Sequence, residues 1–247
     1  MRRAPVLVAF LIVAGTSAGH TSIVRTTAPS QLTLWAWERP EDLRFLAGKS
    51  VGVAFLERTV TVGSGQLSVQ RRHQPLRLAH DTRLTAVVRI EASGVSFPVD
   101  RAGEVAREIA DSAVLPRVEI VQIDFDARES DRPFYAALLR ETRIRLPRST
   151  RLSMTALASW CADDPWIDAT TVDEIVPMLF QMGPDARHVV TRLREEGRWR
   201  VDACNGAAGL ATDERWAGLP APRTVYVFNP RPWRASDLRD AFALLAD

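Results

Sequence analysis

Short apolar runs alternate with longer stretches of helical periodicity along this chain. Apolar runs of strand length bounded by turn residues predict strands, and apolar positions three or four apart predict helices. Strands are predicted at Leu32 to Trp37, Val51 to Leu56, Ala86 to Ile90, Val118 to Asp124, Leu152 to Ala158, Ile175 to Phe180, Trp199 to Ala203 and Thr224 to Phe228. Helices are predicted near Arg101 to Ser112, Pro133 to Arg143, Asp185 to Glu195 and Ser236 to Leu245. Ser130 or Asp131, and later Ser236, stand where an N-cap is expected. Eight strands with intervening helices predict an α/β fold, a closed parallel (β/α)8 TIM-like barrel. An open doubly wound sheet is the alternative. It would carry a Gly-rich turn after its first strand, where this chain has Trp37-Glu38-Arg39-Pro40.

The segment from Arg58 to Arg83 breaks the alternation of strand and helix. Thr59 to Val62 and Leu67 to Val69 alternate like strands around Gly63-Ser64-Gly65, which predicts a β-hairpin inserted after the second strand. It reads equally as a wall or lid of an active rim and as an edge decoration. No repeat or low-complexity linker divides the chain, so residues 19–247 are expected to form a single domain.

The first residues pattern differently. Arg2 and Arg3 precede a short apolar core from Val6 to Ala14, followed by the small residues Thr16-Ser17-Ala18. That is the layout of a secretory signal, here residues 1–18, with an uncleaved anchor as the alternative. The run is too short for an ordinary membrane span. No cysteine follows it to take a lipid, so no stable membrane anchor is expected after cleavage. The expected location is the periplasm or the extracellular space. An oxidising location allows Cys161 and Cys204 to pair, two separate buried thiols being the alternative.

Charge narrows the function classes. The formal net charge is +2, and Lys49 is the only lysine. Without a polybasic tract, nucleic-acid binding lacks its electrostatic footprint. His20, His73, His80 and His188 show no metal-ligand spacing, so no metal or cofactor is expected, although a carboxylate-only site for a hard cation stays open.

The predicted strand ends hold the chemistry. In Val118-Glu119-Ile120-Val121-Gln122-Ile123-Asp124-Phe125-Asp126, alternation puts Gln122, Asp124 and Asp126 on one face. Same-face neighbours are about 7 Å apart along a strand. Two carboxylates so close raise one another's proton affinity, which lets one hold a proton near neutral pH. Glycoside hydrolysis needs a protonated carboxyl and a second group acting as base or nucleophile. Asp124 and Asp126 are the first candidates, and Glu38, at the end of the first strand, is the candidate opposing group. Arg89 and Glu91 share a face of the third strand, where Arg89 can hold a carboxylate ionised or belong to a structural ion-pair network. Glu57, Asp213 and Glu214 are further acids near strand ends. Trp37 and Trp160 offer indole planes for sugar rings, though for the same-face pair Trp35 and Trp37 filling between barrel and helices is the favoured reading. Gln181, Tyr226 and Asn229 complete the candidate substrate contacts.

Three blocks carry a resemblance: Trp35-Ala36-Trp37-Glu38-Arg39-Pro40-Glu41-Asp42-Leu43, Val121-Gln122-Ile123-Asp124-Phe125-Asp126-Ala127 and Thr155-Ala156-Leu157-Ala158-Ser159-Trp160-Cys161. They resemble an uncharacterised family of exported bacterial proteins, a domain of unknown function, over about Leu32 to Phe228. More loosely, the fourth strand is similar to that of chitinase-like barrels, with their Asp-x-x-Asp-x-Asp-x-Glu motif. Asp124 and Asp126 match its later aspartates. Val121 stands at the first Asp, Arg128 stands at the Glu, and Glu129 is displaced by one position. The resemblance implies a glycoside-hydrolase-like barrel acting on a glycan or polysaccharide. A noncatalytic carbohydrate-binding or envelope scaffold barrel is the alternative.

Overall fold

The fold is seen in a computed structural model that describes residues 31–63, 66–93 and 97–245. The predicted signal segment and the hairpin tip at Ser64-Gly65 lie outside the described residues. In chain order the strands are β1 (Gln31–Ala36), β2 (Glu41–Leu43), β3 (Val51–Gly63), β4 (Leu67–Arg71), β5 (Leu76–Leu78), β6 (Leu84–Ser93), β7 (Val118–Asp124), β8 (Arg151–Leu157), β9 (Glu174–Met178), β10 (Ala207–Ala211) and β11 (Thr224–Phe228). The helices are α1 (Ala102–Ala110), α2 (Arg132–Arg145), α3 (Ala158–Ala162), α4 (Ala186–Glu196) and α5 (Leu238–Ala243).

Strands β1, β3, β6, β7, β8, β9, β10 and β11 pair in that order, all parallel, and β11 returns to β1, closing a TIM-like barrel. Strand alternation divides the apolar residues into two sets. Leu34, Val53, Val88, Ile123 and Met154 face outward and join the helices in the larger core. Trp35, Ala54, Leu56, Val87, Val176 and Tyr226 fill the ring itself.

Two features depart from the expected pattern. The second strand does not stop at Leu56 but runs on to Gly63 and turns into antiparallel β4, so the hairpin is an outgrowth of a barrel strand. The break seen in the sequence is a bulge: Leu56 pairs with Val87 and Arg58 with Val88, leaving Glu57 as the extra residue. Arg58 is fully buried there, donating to Glu57 and to the Glu108 carbonyl (2.7 Å), while Ser112 donates to Glu57 (2.9 Å). The seventh strand lies at Ala207–Ala211, not at Trp199 to Ala203. Ala207-Ala208-Gly209-Leu210-Ala211 lacks the β-branched and aromatic residues that signal a strand. Its small residues have a packing reason. A Cβ on Gly209 would stand 2.8 Å from the Trp35 indole, so a larger residue would push that ring from the barrel centre. Trp199 is instead buried among the outer helices.

The expected caps are also corrected. Asp131 and Asp237 turn their carboxylates back to the N–H groups of Arg128 (3.2 Å) and Arg234 (2.9 Å). Each fixes a short 3-10 turn ahead of its helix instead of capping the helix itself.

Cys161 and Cys204 form a disulfide joining α3 to the turn before β10. Closing a loop with a sequence separation of 43 removes denatured-state entropy worth about 4 kcal/mol. Replacing both cysteines by alanine is expected to lower unfolding free energy by that order in urea titration under oxidising conditions. Arg58→Ala leaves the Glu57 carboxylate buried without its guanidinium and is expected to cost about 3–5 kcal/mol in the same assay.

Candidate functional site

The carboxyl ends of the barrel strands surround an open cavity of about 450 Å³. This is the end at which parallel barrels place their chemistry. The floor is an interior polar chain. The Trp35 indole N–H donates to Gln122 Oε1 (2.9 Å), and Gln122 Nε2 donates to Ser153 Oγ (3.1 Å). Ser153 Oγ and the Tyr226 hydroxyl both donate to Glu174 Oε2, at 3.0 and 2.7 Å. Each of these side chains has a hydrogen-bond partner within the ring, which makes the floor an ordered polar network.

Above it stands a cluster centred on Arg89. Its guanidinium donates to Asp124 Oδ2 (3.1 Å) and to Glu91 Oε1 (2.9 Å), lies 4.0 Å from Asp126, and sits 5.6 Å from the centre of the Trp37 indole. Thr155 donates its hydroxyl to the other Asp124 oxygen (2.8 Å). Asp124 is buried, whereas the Asp126 side chain is 56% exposed. Burial pushes the Asp124 carboxyl above its ordinary pKa, the Arg89 charge pulls against this, and the neighbouring Asp126 adds to the rise. Burial also works against the charge on Arg89, but the surrounding carboxylates outweigh it and leave its pKa raised.

Aromatic walls complete the cavity. Phe180 and Phe228 stack with ring centres 5.6 Å apart, and Phe180 meets Trp35 edge-on at 6.0 Å. Gln181 lies on the rim with φ at +53°, a conformation uncommon outside glycine, and its N–H is held by Glu214 (2.8 Å). Trp37 is fixed from behind by Arg72, which donates to the carbonyls of Ala36 (3.1 Å), Trp37 (2.7 Å) and Arg39 (2.6 Å).

Of the residues singled out in the sequence, the cavity brings together Asp124, Asp126, Arg89, Trp37 and Gln181. Glu91 joins through Arg89 but faces the adjoining groove. Four expectations are corrected. Glu38 does not oppose the aspartate pair. Its carboxylate accepts the backbone N–H groups of His73 (3.0 Å) and Gln74 (3.1 Å), tying down the return of the hairpin. Trp160 is no platform at the mouth, because the chain enters α3 after Leu157 and buries the indole against Tyr135 and Trp166. Tyr226 belongs to the floor, stacked 5.3 Å from Trp35. Asn229 is buried between Thr212 (2.9 Å) and Asp237 (3.2 Å), outside the cavity. The reading of Trp35 as filling between barrel and helices is corrected too, since this indole fills the ring interior.

Sequence reasoning missed Thr155, Phe180 and Phe228. Thr155 shares its strand face with Ser153, and Phe228 shares one with Tyr226, so the alternation that exposed Asp124 also marks them. Among the described residues, no group of three or more His, Cys, Asp or Glu side chains is placed to hold a metal ion.

No protein-family model matches the chain. A search of curated proteins likewise finds no match. Among solved structures, the chain is similar to the Bacillus cereus spore cortex-lytic enzyme SleL, with 16% identity and a TM-score of 0.46. The similarity covers 75% of this chain and 52% of that one, so the chain spans about half the length of the protein it matches.

The raised pKa of Asp124 has a consequence for stability. A carboxyl whose folded pKa lies above its unfolded value binds the proton more tightly when folded. Its stabilising contribution is full below the unfolded pKa and is lost as pH rises through the folded one. Asparagine has no such transition. The unfolding free energy of wild type minus that of Asp124→Asn is therefore expected to fall as pH rises from about 4, near the ordinary aspartate pKa, toward neutrality. Urea titrations across that range check the sign.

Proposed function

We propose that the chain is an exported glycan-binding barrel that hydrolyses a glycosidic bond of its ligand at the cavity mouth. One observation carries the reading: the two strand-end carboxylates share a single guanidinium beside an open indole face, in a cavity with room for sugar rings. Indoles stack on the apolar faces of sugars, and carboxylates and amides bond their hydroxyls. In this reading Asp124, whose carboxyl burial pushes above its ordinary pKa, gives a proton to the departing glycosidic oxygen. Asp126 stabilises the positive charge that develops on the ring and takes a proton from the water whose oxygen bonds to the anomeric carbon as the glycosidic bond breaks. Arg89 and Thr155 keep the pair in register. The cavity volume fits the range of small-ligand sites.

A second reading is a noncatalytic binder. The placement of Glu38 favours it, since this carboxylate holds backbone amides and supplies no group on the far side of the aspartate pair.

A single set of assays separates the two. Wild type, Asp126→Asn and Trp37→Ala are incubated with soluble fragments of plant, fungal and bacterial wall glycans. Reducing-end release and binding are then measured. Hydrolysis predicts release by wild type and a loss of about 10²-fold or more in Asp126→Asn, with binding retained. Trp37→Ala is expected to weaken binding itself. Binding without release by wild type establishes the second reading, and absence of both rejects the glycan assignment.

A further inference from the structure

The β3–β4 hairpin stands outside the ring, yet it continues the polar face of the mouth. Strand pairing sets Asp124 beside Arg89, Arg89 beside Thr59, and Thr59 beside Gln70. Directly paired residues project to the same face of a sheet. These four side chains therefore form one row across four strands. Glu91, Thr61 and Ser68 form the next row. The bulge at Glu57 makes this alignment: regular alternation running through Glu57 from Leu56 would turn Thr59 and Thr61 to the helix side.

A groove of about 400 Å³ lies along these rows, with Thr59, Thr61, Gln70 and Arg71 among its walls. Trp37 and Arg89 line both this groove and the main cavity, so the two spaces adjoin at the indole. Three strand spacings carry the upper row about 14 Å from Asp124 to Gln70. Its cations are already matched: Arg71 faces Glu57 at 3.4 Å, and Arg89 faces Glu91 and Asp124. Its other charged groups are engaged as well: Arg58 with Glu57 and the Glu108 carbonyl, Glu91 with Arg89, and Glu38 with the His73 and Gln74 amides. The groups left for a ligand are the hydroxyls and amide of Thr59, Thr61 and Gln70, able both to donate and to accept.

We propose that the hairpin face is a second saccharide subsite, which holds the continuation of a chain whose first part occupies the mouth. The inference rests on the glycan reading above and deepens it. The ligand is an uncharged, hydroxyl-rich oligosaccharide or polysaccharide spanning both spaces, and a lone terminal sugar would use only the mouth.

The test is a length series. Ladders of two to six units of β-1,4-linked glucose, β-1,4-linked N-acetylglucosamine and α-1,4-linked glucose are titrated by calorimetry. Wild type is expected to bind six units about tenfold or more tighter than two in at least one ladder, equivalent to about 1.4 kcal/mol. The combined variant Thr59→Val, Thr61→Val, Gln70→Ala is expected to reduce that ratio below about threefold, under 1 kcal/mol. The single variant Gln70→Ala changes one exposed side chain and is expected to reduce the ratio in part, which guards against misfolding of the triple variant. Binding without length dependence in every ladder that binds, or a length dependence that survives both variants, overturns the subsite. Failure of wild type to bind any ladder rejects the glycan reading for these sugars, and the subsite falls with it.

Discussion

The contact on which the mouth of this barrel depends is the one between Arg89 and Asp124. A carboxylate taken from water into a strand interior is costly unless it is paired and hydrogen-bonded. Asp124 is both, with Arg89 on one oxygen and Thr155 on the other. The guanidinium is planar, so its remaining edges and its face stay available to Glu91, Asp126 and the Trp37 indole. A lysine would offer one point charge in its place and could not organise four neighbours at once. The guanidinium thus fixes one buried carboxyl, one exposed carboxyl and one aromatic plane in a single arrangement.

Much of this was legible in the chain because it follows from alternation. The parity that sends Ile123 outward sends Gln122 and Asp124 inward, and the same parity on the third strand sends Arg89 toward them. Fold class and most strand positions come from that period alone. What alternation could not show was where polar side chains find partners after the chain turns. Glu38 continues the first strand's pattern, but the strand ends at Ala36 and the carboxylate meets two amides of the hairpin return. Trp160 stands at a strand end in sequence, yet the strand passes directly into a helix and rotates the indole into the outer layer. The seventh strand escaped for a different reason. Its composition answers to the Trp35 ring across the barrel, a constraint visible only in three dimensions.

The bulge at Glu57 shows how one residue can change the function of a whole segment. It leaves an acid and a fully buried arginine against the helix layer, where Ser112 and the Glu108 carbonyl complete their hydrogen bonds. Burying an ion pair in this way is seldom the most stabilising solution, because desolvation cancels much of the attraction. Here it coincides with a reversal of phase. Upstream of the bulge, β3 packs apolar residues into the ring, and downstream of it the same face carries threonines. The pair is therefore understood better as a device that sets strand phase than as a source of stability.

Hairpin and mouth are also mechanically joined. Arg72 and the amides of His73 and Gln74, at the return of the hairpin, hold three carbonyls and the Glu38 carboxylate of the loop that carries Trp37. Burial works against the charge on Arg72, with Glu38 and Glu41 opposing that effect. Its position is set by several oxygens at once, which leaves little freedom to move separately from the loop. The backbone of Trp37 therefore cannot shift toward or away from Arg89 without carrying the hairpin base with it. The indole, the guanidinium and the row from Asp124 to Gln70 consequently act as one preorganised surface. A ligand that spans them binds without first ordering the hairpin, avoiding the entropic cost that a mobile lid would impose.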